Sequence, residues 1–481
     1  MMNRKFKLQS LCFLISILGV IGCQEAKKNT DEKETAEAVE DTTLTPLKIS
    51  DNQRFFAKED GKPFFWLGDT GWLMFNRLDR EEIKKYIEDR KAKDYNVIQA
   101  MVLHSLDAVN VYQDTALVDK NVSEPIVTEG SKFSDSLAYD FWDHIDYAIE
   151  TAEEHGIYMA LVPVWGNNVK DGGVTKEQAQ AYGKFLAERY KDTHNIIWLN
   201  GGDTFGNEYT DVWNALGESL DQYNPDKLIT FHPRGRHDSS DWFHDASWLD
   251  FNMFQSGHRT YAQDDTERNY GEDNWRYVRT DYNLKPVKPT LDGEPSYEGI
   301  PYGLHDTLQP FWKAPEIRRY AYWSVFEGAA GFTYGHSAVM QMHPAGGETG
   351  AYGNKKAWDV ALDDPGAKQM QYIKQLMLEY PFFSRKPDSA LVSNQGERYD
   401  YMPSTSGEGY SMVYTYNGRN IEINARNLKF KDFEASWYDP RTGEKEPVEA
   451  KPEKAGDIYT FDPAGEKEDG NDWVLILEEK E

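Results

Sequence analysis

Asn195-Ile-Ile-Trp-Leu-Asn-Gly-Gly-Asp203 is an apolar run that meets two glycines and then a carboxylate. A parallel strand covered on both faces reads this way, with a polar group at its C-terminal tip. Lys288-Pro-Thr-Leu-Asp-Gly-Glu294 repeats the pattern in shorter form. Outward from these two, six further β-like runs alternate with amphipathic segments. The eight strand candidates are 64–68, 96–103, 157–164, 196–200, 227–231, 251–255, 289–291 and 330–334. Helix signals lie between them. Asp79 stands as an N-cap before Arg-Glu-Glu-Ile, with acids in the first turn. Residues 139–155 carry apolar groups at helical spacing and stop at Gly156. Residues 175–190 open on Thr-Lys-Glu-Gln, close to a capping box. Segments 207–223, 275–282, 315–326 and 366–380 follow, while the crossover 233–249 is short and irregular. Repeated βα units of this number predict a (β/α)8 TIM barrel. A doubly wound sheet is the other arrangement, but there is no GxGxxG and no phosphate-loop motif to support a nucleotide role.

The pattern changes near Ser384. Short alternating runs at 390–393, 409–416, 420–424, 433–438, 458–461 and 472–477 are punctuated by turn signals such as Asn417-Gly418 and Asp439-Pro-Arg-Thr-Gly443. They predict a small antiparallel β-sandwich over 384–481 after a barrel over 47–383.

The first residues carry other signals. Arg4, Lys5 and Lys7 precede an apolar stretch at 11–20, too short to span a bilayer as a helix. Val20-Ile-Gly-Cys23 then resembles a bacterial lipobox, so residues 1–23 are expected to be a signal peptide with Cys23 as the lipidated residue. Residues 24–46 are rich in Lys, Glu, Asp, Thr and Ala and are expected to be a disordered tether. The expected location is therefore a membrane-anchored lipoprotein facing the periplasm or the cell surface. The only other cysteine is Cys12, inside the leader, so the mature chain has no internal disulfide to lean on. A net charge of -28 disfavours nucleic acid as a partner, because that affinity comes largely from Lys and Arg on phosphates.

A barrel brings its strand tips to one face. That places Asp203 and Glu294 together as candidate catalytic groups, and a carboxylate pair is the minimal kit for glycoside hydrolysis. Asp69, Trp72, His104, Trp165, His232, Gln255, Tyr297 and His336 stand at other tips and are candidate sugar-binding residues; aromatic walls with many hydrogen-bonding groups suit a polyhydroxylated ligand. Arg234 and His258 are at tips as well. Asp292 and Glu298 compete with Glu294 for the direct role. His237, His244 and His343 lack metal-ligand spacing and there is no HExxH, so neither a metal nor a cofactor is expected. The acidic stretch 466–472 reads as a solvated loop rather than a calcium site. No GxSxG elbow supports serine chemistry.

Phe65-Trp-Leu-Gly-Asp-Thr-Gly-Trp72, Trp198-Leu-Asn-Gly-Gly-Asp203 and Leu291-Asp-Gly-Glu-Pro-Ser-Tyr-Glu298 resemble the signature blocks of the apiosidase-like barrel family, whose characterised members belong to glycoside hydrolase family 140. Ala435-Ser-Trp-Tyr-Asp-Pro-Arg-Thr-Gly443 is similar to the small β-domain called the collagen-binding domain of a collagenase, which commonly follows that barrel. The resemblance implies an exo-acting hydrolase that removes apiose from plant pectin side chains, notably of rhamnogalacturonan II. It implies Asp203 as general acid/base and Glu294 as nucleophile in a retaining reaction. A same-family enzyme for another sugar and a non-catalytic glycan-binding lipoprotein are the other readings. The collagen label finds no matching physical feature in the tail, and bracing of the barrel is its expected role.

Overall fold

The structure, a computed structural model, describes residues 44–449, 451–452 and 457–480. The expected leader, Cys23 and nearly all of the expected tether lie outside the described residues. Eight parallel strands form the centre: β1 (Trp66–Thr70), β2 (Val97–Leu103), β3 (Tyr158–Val164), β4 (Ile196–Thr204), β5 (Ile229–Pro233), β6 (Asn252–Phe254), β7 (Thr290–Asp292) and β8 (Gly331–Tyr334). Their hydrogen-bonded order is β5-β4-β3-β2-β1-β8-β7-β6, a cylinder with one interruption between β5 and β6. Side chains bridge that seam. The Ile229 N–H donates to the Asp250 carboxylate at 2.7 Å, and Thr230 Oγ1 donates to the Phe251 carbonyl at 2.6 Å. Beyond β5 the chain turns back, so that Asp238 pairs antiparallel with Phe254.

The strands are buried along their length because alternate residues feed two cores. On β3, Met159 and Leu161 join the layer shared with the outer helices, while Ala160 and Val162 face the other way. The outer helices include α1 (Arg80–Ala92), α2 (Phe141–Glu154), α3 (Lys176–Arg189), α4 (Thr210–Tyr223), α5 (Trp275–Tyr282), α6 (Ala314–Phe326) and α7 (Pro365–Glu379). Reciprocal capping boxes start α1 through Asp79 and Glu82, and α3 through Thr175 and Gln178. Each such cap contributes about 1 kcal/mol. The irregular fifth crossover contains only a four-residue helix, Ser240–Phe243.

β1 begins two residues later than the sequence predicts. Pro63–Phe64 instead pairs antiparallel with Phe56–Ala57, in a three-stranded sheet completed by Lys48–Ile49. The apolar run is continuous there, so nothing in its period marks the handover between sheets.

The C-terminal part contains β9 (Lys386–Pro387), β10 (Ser404–Gly407), β11 (Tyr410–Thr415), β12 (Ile421–Asn424), β13 (Phe433–Tyr438), β14 (Lys445–Val448), β15 (Lys451–Pro452), β16 (Ile458–Phe461) and β17 (Trp473–Glu479). They form two antiparallel sheets, β9-β10-β11-β17-β13-β14 and β12-β16-β15. Val413, Leu475 and Leu477 of the larger sheet share a core with Ile421, Ile423 and Phe461 of the smaller. The opposite face of the larger sheet, with Met412, Tyr414 and Ile476, shares the core of α6 and the barrel. Tyr414 stacks on Tyr322 with centroids 4.8 Å apart, and Arg318 grips Asp472 through two hydrogen bonds of 2.6 and 2.8 Å. The run 390–393 is not a strand and contributes one bridge, Val392 to Ile423. No helix among the described residues is long and apolar enough to cross a membrane.

Candidate active site

At the end of β4 the ladder with β5 shifts register between Gly201 and Thr204. A bulge of this kind re-aims a side chain. Gly201 and Gly202 have φ of +93° and +107°, and a Cβ on either would strike a ring: Phe231 at 2.6 Å or Trp165 at 2.6 Å. Both positions therefore need glycine for conformation and for close approach. Asp203 follows with φ +50° and lines the cavity at the barrel mouth. Burial, and then repulsion from Glu294, pushes its carboxyl above the ordinary 3.8; His232 and Arg234 pull the other way.

Glu294 lies just past β7 and is 8 % exposed. His258 donates from Nε2 to its Oε1 at 3.1 Å, and His232 Nε2 stands 3.1 Å from its Oε2, off the line of an ideal hydrogen bond. Burial alone would raise this carboxyl, but the two imidazoles outweigh it and hold Glu294 at about 2. One carboxyl is thus held ionised while its neighbour is pushed toward the protonated form, the division of labour a two-carboxylate hydrolase needs. The two competitors are placed elsewhere. Asp292 is fully buried and accepts from Ser256 at 2.7 Å and Asn274 at 2.9 Å; Glu298 accepts from the Tyr334 hydroxyl at 2.6 Å.

The cavity measures about 1240 Å³, above the roughly 300–1,000 Å³ usual for a small-molecule site. Trp72, His104, Trp165, Gln255 and Tyr297 line it with Asp203 and Glu294. Trp72 and Trp165 pack at 5.4 Å between centroids and both rest against His232. The buried Gln255 Oε1 has no hydrogen-bond partner among the described residues. Burial and the nearby Arg77 lower the His104 pKa.

Three expected binding residues have other positions. Asp69 is fully buried and spent on the Arg90 Nε at 2.5 Å and the Tyr86 hydroxyl at 2.6 Å; it is a structural ion pair rather than a sugar contact. His336 caps the short helix Ser337–Met340 by accepting from the Ala338 N–H at 2.9 Å, and its Nε2 meets Asp364 at 2.8 Å. It too is structural. His232 lies beneath the cavity floor and touches Glu294 instead of lining the space.

Sequence reasoning passed over Tyr352 and Arg77, which line the same cavity from the turn Ala351–Gly353 and the four-residue helix Met74–Arg77, both too short to carry a periodic signal. Both carboxylates raise the Tyr352 pKa after burial has done so. Arg77 donates to the Gln341 carbonyl at 2.7 Å, and the Arg234 guanidinium lies 5.2 Å from the Phe205 ring centroid. Neither forms an ion pair among the described residues, although the chain is strongly acidic. Nor is there, among those residues, a group of three or more His, Cys, Asp or Glu able to hold a metal ion.

The sequence profile described as "Apiosidase-like, catalytic domain" matches residues 50–384. The chain belongs to the apiosidase-like family. Residues 387–478 match a second profile, described as "Putative collagen-binding domain of a collagenase". A solved structure described as a glycoside hydrolase is 44% identical, covers 91% of this chain and 97% of its own, and superposes with a TM-score of 0.85. Another, described as a glycoside hydrolase family 5 from Bacteroides vulgatus, is 43% identical over 90% of this chain and 93% of its own, with a TM-score of 0.84. No curated protein matches the chain. This apiosidase-like protein is a glycoside hydrolase with a carbohydrate substrate.

Proposed function

We propose that this apiosidase-like protein releases apiose from pectin side chains, notably of rhamnogalacturonan II, with Asp203 as general acid/base and Glu294 as nucleophile. The observation that carries the reading is the opposite displacement of two carboxyls in one cavity. Asp203, favoured as the acid, donates its proton to the departing glycosidic oxygen. Glu294, held ionised, attacks the anomeric carbon, and that C–O bond breaks as the new one forms. Asp203 then takes a proton from water, which displaces Glu294 and frees the sugar. The cavity exceeds one sugar, and Arg77 and Arg234, which form no ion pair among the described residues, suit the uronic acids of a pectin backbone. The lipobox-like Val20-Ile-Gly-Cys23 supports attachment to a membrane through Cys23, facing the periplasm or the cell surface.

The test is sugar release by residues 24–481 from an apiose-bearing pectin side chain beside a panel of other glycosides, with Glu294→Gln as control. Apiose freed by the wild type alone supports substrate and nucleophile together. Another sugar moves the substrate and keeps the chemistry. Full activity in Glu294→Gln removes the assignment of the nucleophile.

A further inference from the structure

Glu294 is gripped by two histidines, and each histidine is in turn held by the main chain. The Asp203 N–H donates to Nδ1 of His232 at 3.3 Å, and the Tyr297 N–H donates to Nδ1 of His258 at 3.3 Å. An imidazole nitrogen that accepts a hydrogen bond carries no proton, so each ring proton lies on Nε2. Both Nε2 atoms are the ones that face Glu294, at 3.1 Å each. His232 is fully buried, and His258 is 5 % exposed at the cavity wall. Trp72 and Trp165 both pack on the His232 ring, at 5.4 and 5.6 Å between centroids, and Tyr297 meets the His258 ring edge-on at 4.7 Å.

His232 does a second thing. Its Nδ1 takes the amide of Asp203, the residue at φ +50° on the glycine bulge, while its Nε2 addresses Glu294. A rigid five-membered ring therefore lies between the main chain of one carboxylate residue and the side chain of the other.

We propose that His232 and His258 are positioning residues locked as Nε2–H tautomers by the Asp203 and Tyr297 amides, and that His232 sets the placement of Asp203 relative to Glu294. The proposal rests on the reading of this pair as the reacting carboxylates. The His258 Nε2–H donates to one Glu294 oxygen, the His232 Nε2–H faces the other at 3.1 Å, and the ring under Asp203 ties the strained tip to the same spot.

Nitrogen-15 NMR of the wild-type protein with labelled histidine, read at pH 7, tests the tautomers without any substrate. Both rings are expected as Nε2–H; an Nδ1–H signal from either overturns the proposal. Amide substitutions test the role. Glutamine keeps a donor near the position of Nε2, whereas asparagine keeps only the acceptor near Nδ1. His232→Asn and His258→Asn should each lower kcat roughly 10²–10³-fold with little change in KM. His232→Gln and His258→Gln should regain at least about tenfold of that loss. Equal kcat for the Asn and Gln variants at both positions would mean the rings only fill space, and the proposal falls. If no apioside is cleaved but another glycoside is, these ratios are read on that glycoside; the substrate reading then fails while this one is still decided.

Discussion

The indole of Trp165 closes on Gly202 so tightly that a Cβ at 202 would stand 2.6 Å from its Cε3. That contact, together with φ +107° at Gly202, fixes the tip on which Asp203 rides. Gly202→Ala should cost about 1–3 kcal/mol of stability and lower kcat at least tenfold. Urea melts beside steady-state kinetics check it, and a variant with wild-type kcat would show that the bulge is dispensable.

The two carboxyls should leave opposite marks on stability. Glu294 is depressed from 4.5 to about 2, so it contributes on the order of 3 kcal/mol above pH 4.5, lost as the pH falls through about 2. Asp203 is raised, so its ionisation costs stability that is absent below 3.8 and grows as the pH rises through its folded value. Glu294→Gln should therefore melt earlier than the wild type at pH 7, with the gap narrowing below pH 4.5. Asp203→Asn should melt later at pH 7 and lose that advantage toward pH 3. Calorimetry between pH 3 and 7 reads both; matching shifts of the same sign would contradict the assignment.

Asp69 belongs to the frame of the barrel. Asp69→Ala removes the partner of the buried Arg90 Nε and of the Tyr86 hydroxyl and leaves Asp89, at 2.8 Å from Nη1, as the remaining counter-charge, at a cost of about 2–4 kcal/mol. The melting temperature should fall while KM, measured well below it, stays near the wild-type value. A large rise in KM with unchanged stability would return Asp69 to the sugar site.

The larger C-terminal sheet is covered on one side by α6, and Arg318 is buried against Asp472. Asp472→Ala should destabilise the whole protein by about 3–5 kcal/mol. Removal of residues 385–481 should leave a barrel that aggregates, because it uncovers Tyr322 and its neighbours. A soluble, fully active 47–384 fragment would overturn this.

Arg234→Gln should reduce kcat/KM at least tenfold for a substrate whose leaving group carries a carboxylate, and change it little for a neutral aryl glycoside. Raised ionic strength should weaken the wild type's preference in the same direction. Equal losses on both substrates would place Arg234 outside carboxylate recognition.

The barrel was legible because its strands are buried on both faces and its helices announce themselves with caps; Asp79 and Thr175 mark α1 and α3 within a residue. The short polar strands were not. Ser404–Gly407 reads Ser-Thr-Ser-Gly and takes its strand form from its neighbours rather than from its own pattern. Within the site, strand tips placed Asp203 and Glu294 at one mouth, but the tip rule does not say which way a side chain turns. Asp69 turns to Arg90, and His336 turns back to cap its own helix, through pairings that periodicity does not encode. Tyr352 and Arg77 come from a single 3-10 turn and a one-turn helix, too short for a period to be read.

The interruption between β5 and β6 gives Glu294 a mechanical office. His232 stands on β5, His258 follows β6, and the carboxylate of Glu294, arriving from β7, reaches both. There Glu294 adds a side-chain tie to the bonds that Asp250 and Thr230 make across the seam and to the Arg236 N–H that donates to the Gln255 carbonyl. Covalent loading of Glu294 by a sugar would then slacken the rim at the moment the ring is captured, and release of the sugar would fasten it again.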